Sequence, residues 1–134
     1  MRAKRIVYLW DADYPWDVRT EKSCLALQRG GHDVHIVARN KGWLPDVEQL
    51  AEGTVHRMPP WRWAGRRLDL ELGFPAFFSP RWRGLLARVV REVRADVIIA
   101  RDIPLCPTAI HVGRRYGVPV VLDMAENYPA MMRD

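Results

Sequence analysis

The sequence predicts a three-layer α/β fold, and three observations carry that prediction. Five short apolar runs of strand length alternate with segments of helical period. In the clearest of these segments Trp82, Leu85, Leu86, Val89, Val90 and Val93 repeat at i, i+3, i+4, i+7, i+8 and i+11. Glycines follow two of the helical segments, at Gly30-Gly31 and Gly117, where a helix end favours a residue tolerant of left-handed φ. Strands and helices alternating at these lengths close through right-handed crossovers onto one parallel sheet.

Arg5–Trp10 is nearly continuously apolar, as expected of a strand buried on both faces. Asp17 can cap a helix over Val18–Arg29, in which Thr20, Cys24 and Leu27 share one side and Gly30-Gly31 makes the stop. Asp33–Ala38 is the second strand. A short helical piece is expected around Pro45–Glu52, leading through Gly53 to a third strand at Thr54–Met58. The next twenty residues are rich in Pro, Trp and Arg and show no period. Ser79-Pro80 then supplies a cap followed by proline at the first helical position, opening the amphipathic helix. Asp96–Ala100 is the fourth strand, Thr108–Tyr116 a helix, and Val118–Asp123 the fifth strand. The expected product is a doubly wound, Rossmann-like domain with a mainly parallel sheet of at least five strands, order 3-2-1-4-5, and helices on both faces.

A chain of 134 residues has room for one such domain and hardly for two. Its last residues read as the start of a further loop or helix, so the sequence is expected to be the amino-terminal part of a longer protein. No run of about 18 apolar residues is present. The apolar stretch after the charged start Met1–Arg5 is too short for a signal-peptide core and meets Asp11 and Asp13 instead of a small-residue cleavage site, so a cytoplasmic location is expected. Cys24 and Cys106 are far apart and read as ordinary thiols. His32, His35, His56 and His111 lack metal-ligand spacing, and no metal is expected. The net charge of +5 is concentrated in one stretch. From His56 to Arg94, nine arginines face three acids, whereas the remainder has twelve basic and thirteen acidic residues.

A doubly wound sheet binds its ligand at the carboxyl ends of the strands. The loop expected there after strand one, Asp11–Asp17, has three carboxylates, Tyr14 and Trp16, and no glycine. A dinucleotide site needs G-x-G-x-x-G at that place for close backbone approach to pyrophosphate, and a P-loop needs GK[ST]; both are excluded. Acidic pairs after strand one also bind magnesium in phosphate-receiving response regulators. That reading requires a carboxylate ending strand three, where this sequence has Met58-Pro59-Pro60.

Three segments together resemble the amino-terminal domain of the family-4 retaining glycosyltransferases, which have the GT-B fold. The first is strand one with Tyr14-Pro15-Trp16-Asp17-Val18-Arg19 and the helix through Glu21-Lys22 to Leu27. The second is Gly30-Gly31-His32-Asp33-Val34, similar to that family's "aGHeV" turn. The third is Ala95–Leu105, followed by Gly117–Asp123 and Glu126-Asn127-Tyr128-Pro129, similar to its "D-x-H-E-x-Y-P" stretch. The family's histidine falls at Ala125, a departure that leaves its contact to a neighbour such as Glu126 or to a different acceptor geometry.

The resemblance implies a split enzyme. This half would bind a saccharide or lipid-linked acceptor, and a carboxyl-terminal domain bearing the E-x7-E carboxylates would bind the nucleotide-sugar donor, a substrate and not a cofactor. Transfer of a hexose in surface-polysaccharide synthesis is implied, with this half inactive alone and the catalytic groups unassigned. A lone flavodoxin-like binding module for an anionic surface or protein partner is the rival class, and a sugar-nucleotide epimerase a third.

The acceptor-side candidates are Asp11, Asp13, Tyr14, Trp16, Arg19, Arg101, Asp102, Glu126, Asn127 and Tyr128. Ionised carboxylates suit sugar hydroxyls; alternatively Asp17 only caps its helix and the others are solvated. Tyr14 and Trp16 either stack on a sugar face or cover the sheet edge. Arg19 and Lys22 either meet an acceptor phosphate or pair locally with Asp17 or Glu21. Trp61, Arg62, Trp63, Arg66, Arg67, Phe77, Phe78 and Trp82 interleave indole, phenyl and guanidinium groups. That mixture suits the headgroup layer of an anionic membrane, so peripheral docking on the inner face is expected unless the aromatics pack beneath a loop. Nucleic acid is not expected as a partner, because the strand ends are acidic and no reading motif appears.

Overall fold

In the computed structural model, which describes residues 2–15, 18–40, 44–59, 80–101 and 103–124, the described residues form six strands and three helices. In chain order they are β1 (Arg5–Asp13), α1 (Val18–Arg29), β2 (Asp33–Arg39), β3 (Val47–Leu50), β4 (Gly53–Arg57), α2 (Pro80–Val93), β5 (Val97–Arg101), α3 (Cys106–Tyr116) and β6 (Val120–Asp123). The sheet runs β3-β4-β2-β1-β5-β6. Every neighbouring pair is parallel except β3–β4. The expected order 3-2-1-4-5 is therefore found as β4-β2-β1-β5-β6, with β3 added at one edge.

That extra strand corrects the helical piece expected at Pro45–Glu52. Val47–Leu50 alternates between exposed and half-buried positions and folds back on β4 through a two-residue turn, pairing Leu50 with Gly53. A single helical turn there would leave its nucleation cost unrepaid, whereas a hairpin gains pairing along its length. Gly53 makes the hairpin fit: its φ is +143°, and a Cβ would stand 2.4 Å from the Val34 carbonyl oxygen. A second correction concerns β1, which continues past Trp10 to Asp13. After a register shift Asp13 pairs with Arg39, so Asp11 and Asp13 are strand residues and not loop residues.

Alternate residues of the central strands feed two cores. Val7, Leu9, Val37, Ile98 and Ala100 pack under α2 and α3, against Trp82, Leu86, Val89 and Val112. Tyr8, Val34, Ile36, Ala38 and Val55 pack with Cys24 of α1 on the opposite face. This two-sided burial is why strand one reads as continuously apolar. All three helices end in the same way, with the chain reversing through a left-handed residue. The N–H groups of His32, Ala95 and Val118 donate to Leu27, Val90 and Gly113, five residues back. The left-handed residue is Gly31 after α1 and Gly117 after α3, but Arg94 after α2, at φ +54°.

Candidate functional site

The carboxyl ends of the parallel strands form a crest where the described side chains are tied to one another. Arg39, the last residue of β2, reaches across to β1. Its Nε donates to the Asp11 carbonyl at 3.0 Å and its Nη2 to Asp11 Oδ1 at 3.0 Å. The Asp11 side chain keeps a quarter of its surface in solvent, and the Arg39 guanidinium lies 5.5 Å from the Trp82 ring centroid. Arg101, which ends β5, is 4% exposed. Its Nη1 donates to Thr20 Oγ1 at 2.5 Å, and its guanidinium stacks 4.8 Å over the Trp10 ring. At the end of β6, Asp123 accepts from Tyr8 Oη at 2.7 Å. Burial first, and then this carboxylate, raise the Tyr8 phenol. A neutral hydroxyl held against an ionised carboxylate leaves Asp123 with lone pairs to spare.

Among the described side chains, the crest thus sets two carboxylates and two guanidiniums in a mixed-charge array, held by one another before any ligand arrives. Paired charges of this kind present fixed hydrogen-bonding directions, which suits hydroxyl-rich molecules. Arg57, completely buried at the end of β4, fastens the flank. It donates to the carbonyls of Tyr14 at 3.1 Å and Pro45 at 2.9 Å, and it pairs with Glu48 at 3.3 Å. Asn40 closes the chain after β2, with Nδ2 donating to the Leu44 carbonyl at 2.8 Å and Oδ1 accepting from its N–H at 2.7 Å.

Of the residues singled out from sequence, Asp11 and Arg101 are brought to the crest, and Arg19 is exposed on the first turn of α1. Tyr14 is not available to a ligand. It is fully buried, and its hydroxyl donates to Glu52 Oε2 at 2.6 Å beneath the β3–β4 turn. Burial first, and then Glu52, push its ionisation far up. Of its two readings, neither sugar stacking nor covering an exposed edge survives: it is a core residue. Trp82 is likewise no surface residue. It is 0% exposed and heads the apolar stripe of α2. Burying an indole there contributes several kcal/mol, about the 3–5 kcal/mol lost when such a side chain is truncated, far beyond what one aromatic gains at a headgroup layer. Burial also pushes the Cys24 thiol up to about 12, so it is inert. His56 does not stand alone, since His35 Nδ1 lies 3.0 Å from its Nε2. The side chain of Asp13, together with Trp16, Asp17, Asp102, Glu126, Asn127, Tyr128, Trp61, Arg62, Trp63, Arg66, Arg67, Phe77 and Phe78, lies outside the described residues.

Sequence reasoning missed Arg39, Trp10, Asn40, Arg57 and the Tyr8–Asp123 pair. Their shared signal is position: Arg39, Arg57 and Asp123 are each the last residue of a parallel strand, where the topology places ligands.

A family model described as a glycosyl transferase 4-like domain matches residues 17–133. No curated protein matches the sequence. Among solved structures, CalG4, the calicheamicin glycosyltransferase, is similar at a TM-score of 0.61 and 14% identity. The match covers 99% of this chain and 35% of that one, so this chain spans about a third of that protein's length. The C-terminal domain of the PF1911 hydrogenase from Pyrococcus furiosus is similar at a TM-score of 0.56 and 16% identity, over 92% of this chain and 94% of that one. At such identities these structures establish a shared architecture, and an architecture by itself assigns no activity.

Proposed function

This chain belongs to the glycosyl transferase 4-like family, and from that membership we propose that it is the acceptor-binding lobe of a glycosyltransferase. In this reading a companion carboxyl-terminal domain holds the nucleotide sugar, and the crest receives a hydroxyl of a saccharide or lipid-linked saccharide in surface-polysaccharide assembly. Transfer proceeds with retention at the anomeric carbon, and the lobe alone does not turn over.

The observation that carries the reading is the family match, which extends over residues 17–133 and so takes in nearly the whole domain. The crest chemistry supports it. Asp11, partly in solvent and oriented by Arg39, can accept from one acceptor hydroxyl in a fixed direction. Such orientation is what a positioning lobe contributes, since holding reactants in line removes entropy from the barrier. Asp102 and Glu126 enter through the resemblance, at positions of the family's acceptor-side motifs.

Steady-state kinetics of the full-length protein over a panel of nucleotide sugars and acceptors test the proposal. Asp11→Asn is expected to lower kcat/KM for the acceptor by about 10–100-fold, the range of one or two lost charge-assisted hydrogen bonds. The KM for the donor should stay within about twofold, and Asp102→Asn and Glu126→Gln should behave likewise. Unchanged acceptor kinetics in all three variants would refute the assignment of the crest.

A further inference from the structure

We propose that the α2–α3 layer is a docking face for an anionic lipid bilayer, built from arginines with no role at the crest. The two helices carry six arginines against a single acid, Glu92, a surplus equal to the +5 of the entire chain. Arg83, Arg91, Arg94, Arg114 and Arg115 take part in no ion pair among the described residues. Three strand arginines, by contrast, are paired: Arg5 with Asp96, Arg39 with Asp11 and Arg57 with Glu48.

The arginines line two grooves flanking α3, one of which sets Ile110 and Arg114 beside Val118, Pro119 and Val120. Arg83, Ala87, Arg91 and Arg94 follow at i, i+4, i+8 and i+11 along α2. Arg83 and Arg115 line a common shallow groove with Gly84, His111 and Tyr116. Ile110, 39% exposed, sits one turn before Arg114 and adds an apolar contact beside the charges. The end of α2 provides an independent sign. The reversal after a helix calls for glycine, as at Gly31 and Gly117, yet α2 has Arg94 there in left-handed backbone at φ +54°. A local rule broken on a basic face, at some cost in stability, marks a residue kept for what it contacts. Single-stranded nucleic acid fits less well: it needs a row of aromatic platforms, and the described part of this groove has Tyr116 alone, with Arg115 over it at 5.7 Å. Many equivalent cations on a flat layer suit a surface of many equivalent headgroups. With the layer resting on a bilayer, the crest lies at its margin.

The test is partitioning of the protein onto phosphatidylcholine vesicles with and without phosphatidylglycerol at low salt, a readout that involves no sugar and stands apart from the transfer reading. Binding is expected only with phosphatidylglycerol. Each arginine near such a surface is worth about fivefold, so Arg114→Gln/Arg115→Gln should weaken partitioning about 25-fold. Lys22→Gln/Arg29→Gln, on α1 at the opposite face of the sheet, should leave it within about twofold. Arg94→Gly is the sharper variant. It should weaken binding about fivefold while raising the melting temperature by about 3 °C, so lost binding cannot be lost folding. Undiminished binding by the Arg114/Arg115 variant, an equal loss in the Lys22/Arg29 control, or binding to an oligothymidylate but not to vesicles would each overturn the proposal.

Discussion

His35 and His56 form a short chain on the α2 side of β2 and β4: His35 Nδ1 is 3.0 Å from His56 Nε2, and its other nitrogen is 3.1 Å from Asp33 Oδ2. Burial lowers the His56 pKa to about 4, reinforced by His35 and Arg88 and opposed by Glu92. A histidine whose folded value lies below its unfolded value of about 6.5 favours the fold in its neutral form. Its contribution is therefore complete above pH 6.5 and is lost as pH falls toward 4. The expected loss by pH 4 is on the order of 2–3 kcal/mol, read as a falling denaturation midpoint between pH 7 and pH 4. His56→Asn should flatten that slope, and an equally steep slope in the variant would remove His56 as its source. Nothing in the sequence announced this pair, because two single histidines 21 positions apart become neighbours only once β2 and β4 are adjacent. Tyr14 was misread for a similar reason: its partner Glu52 comes from a hairpin that local periodicity assigns to a helix.

At the scale of elements, the strongest patterns were the ones that held. The α2 stripe and the buried strands β1, β2 and β5 were legible because each buries a face against the rest of the fold, and burial writes a period into sequence. In the β3–β4 hairpin, β4 was expected at Thr54–Met58, but β3 was illegible because a four-residue edge strand buries too little to leave a period. The hairpin's specification lies in Gly53. At φ +143°, with a Cβ placed 2.4 Å from the Val34 carbonyl oxygen, any side chain both strains the backbone and drives β4 off β2. Gly53→Ala is expected to cost more than about 3 kcal/mol, measured by urea denaturation. Gly31→Ala, also left-handed but with open space around its Cβ, should cost only about 1 kcal/mol. Equal penalties at the two sites would mean that backbone strain, and not the fit of β4 against β2, governs both.

At the scale of the whole molecule, the described part of the crest pairs its acids with bases, while Asp17, Asp102, Glu126 and the side chain of Asp13, on which the acidic reading rests, lie outside the described residues. Asp11 and Asp123 face Arg39 and Arg101, whose contacts hold them to Asp11, Trp82, Thr20 and Trp10. This bears on how a two-lobed enzyme divides its substrates. A diphosphate needs several donors converging on it, from a glycine-rich turn at a helix N-terminus or from guanidiniums turned outward. Here β1 runs on through Asp11 to Asp13 where such a turn would stand. Bringing a diphosphate to Arg39 would break its bidentate contact with Asp11 and set two anions side by side. Each broken charge-assisted contact costs about 1.5–3 kcal/mol, or roughly ten- to a hundredfold in affinity. Titration of this chain with UDP or GDP by calorimetry is therefore expected to show no saturation below about 1 mM. Asp11→Asn, which weakens the hold on Arg39, is the variant expected to gain weak diphosphate binding. Micromolar binding by the unaltered chain would show that this lobe has its own phosphate site, and the division of substrates between two lobes would fail with it.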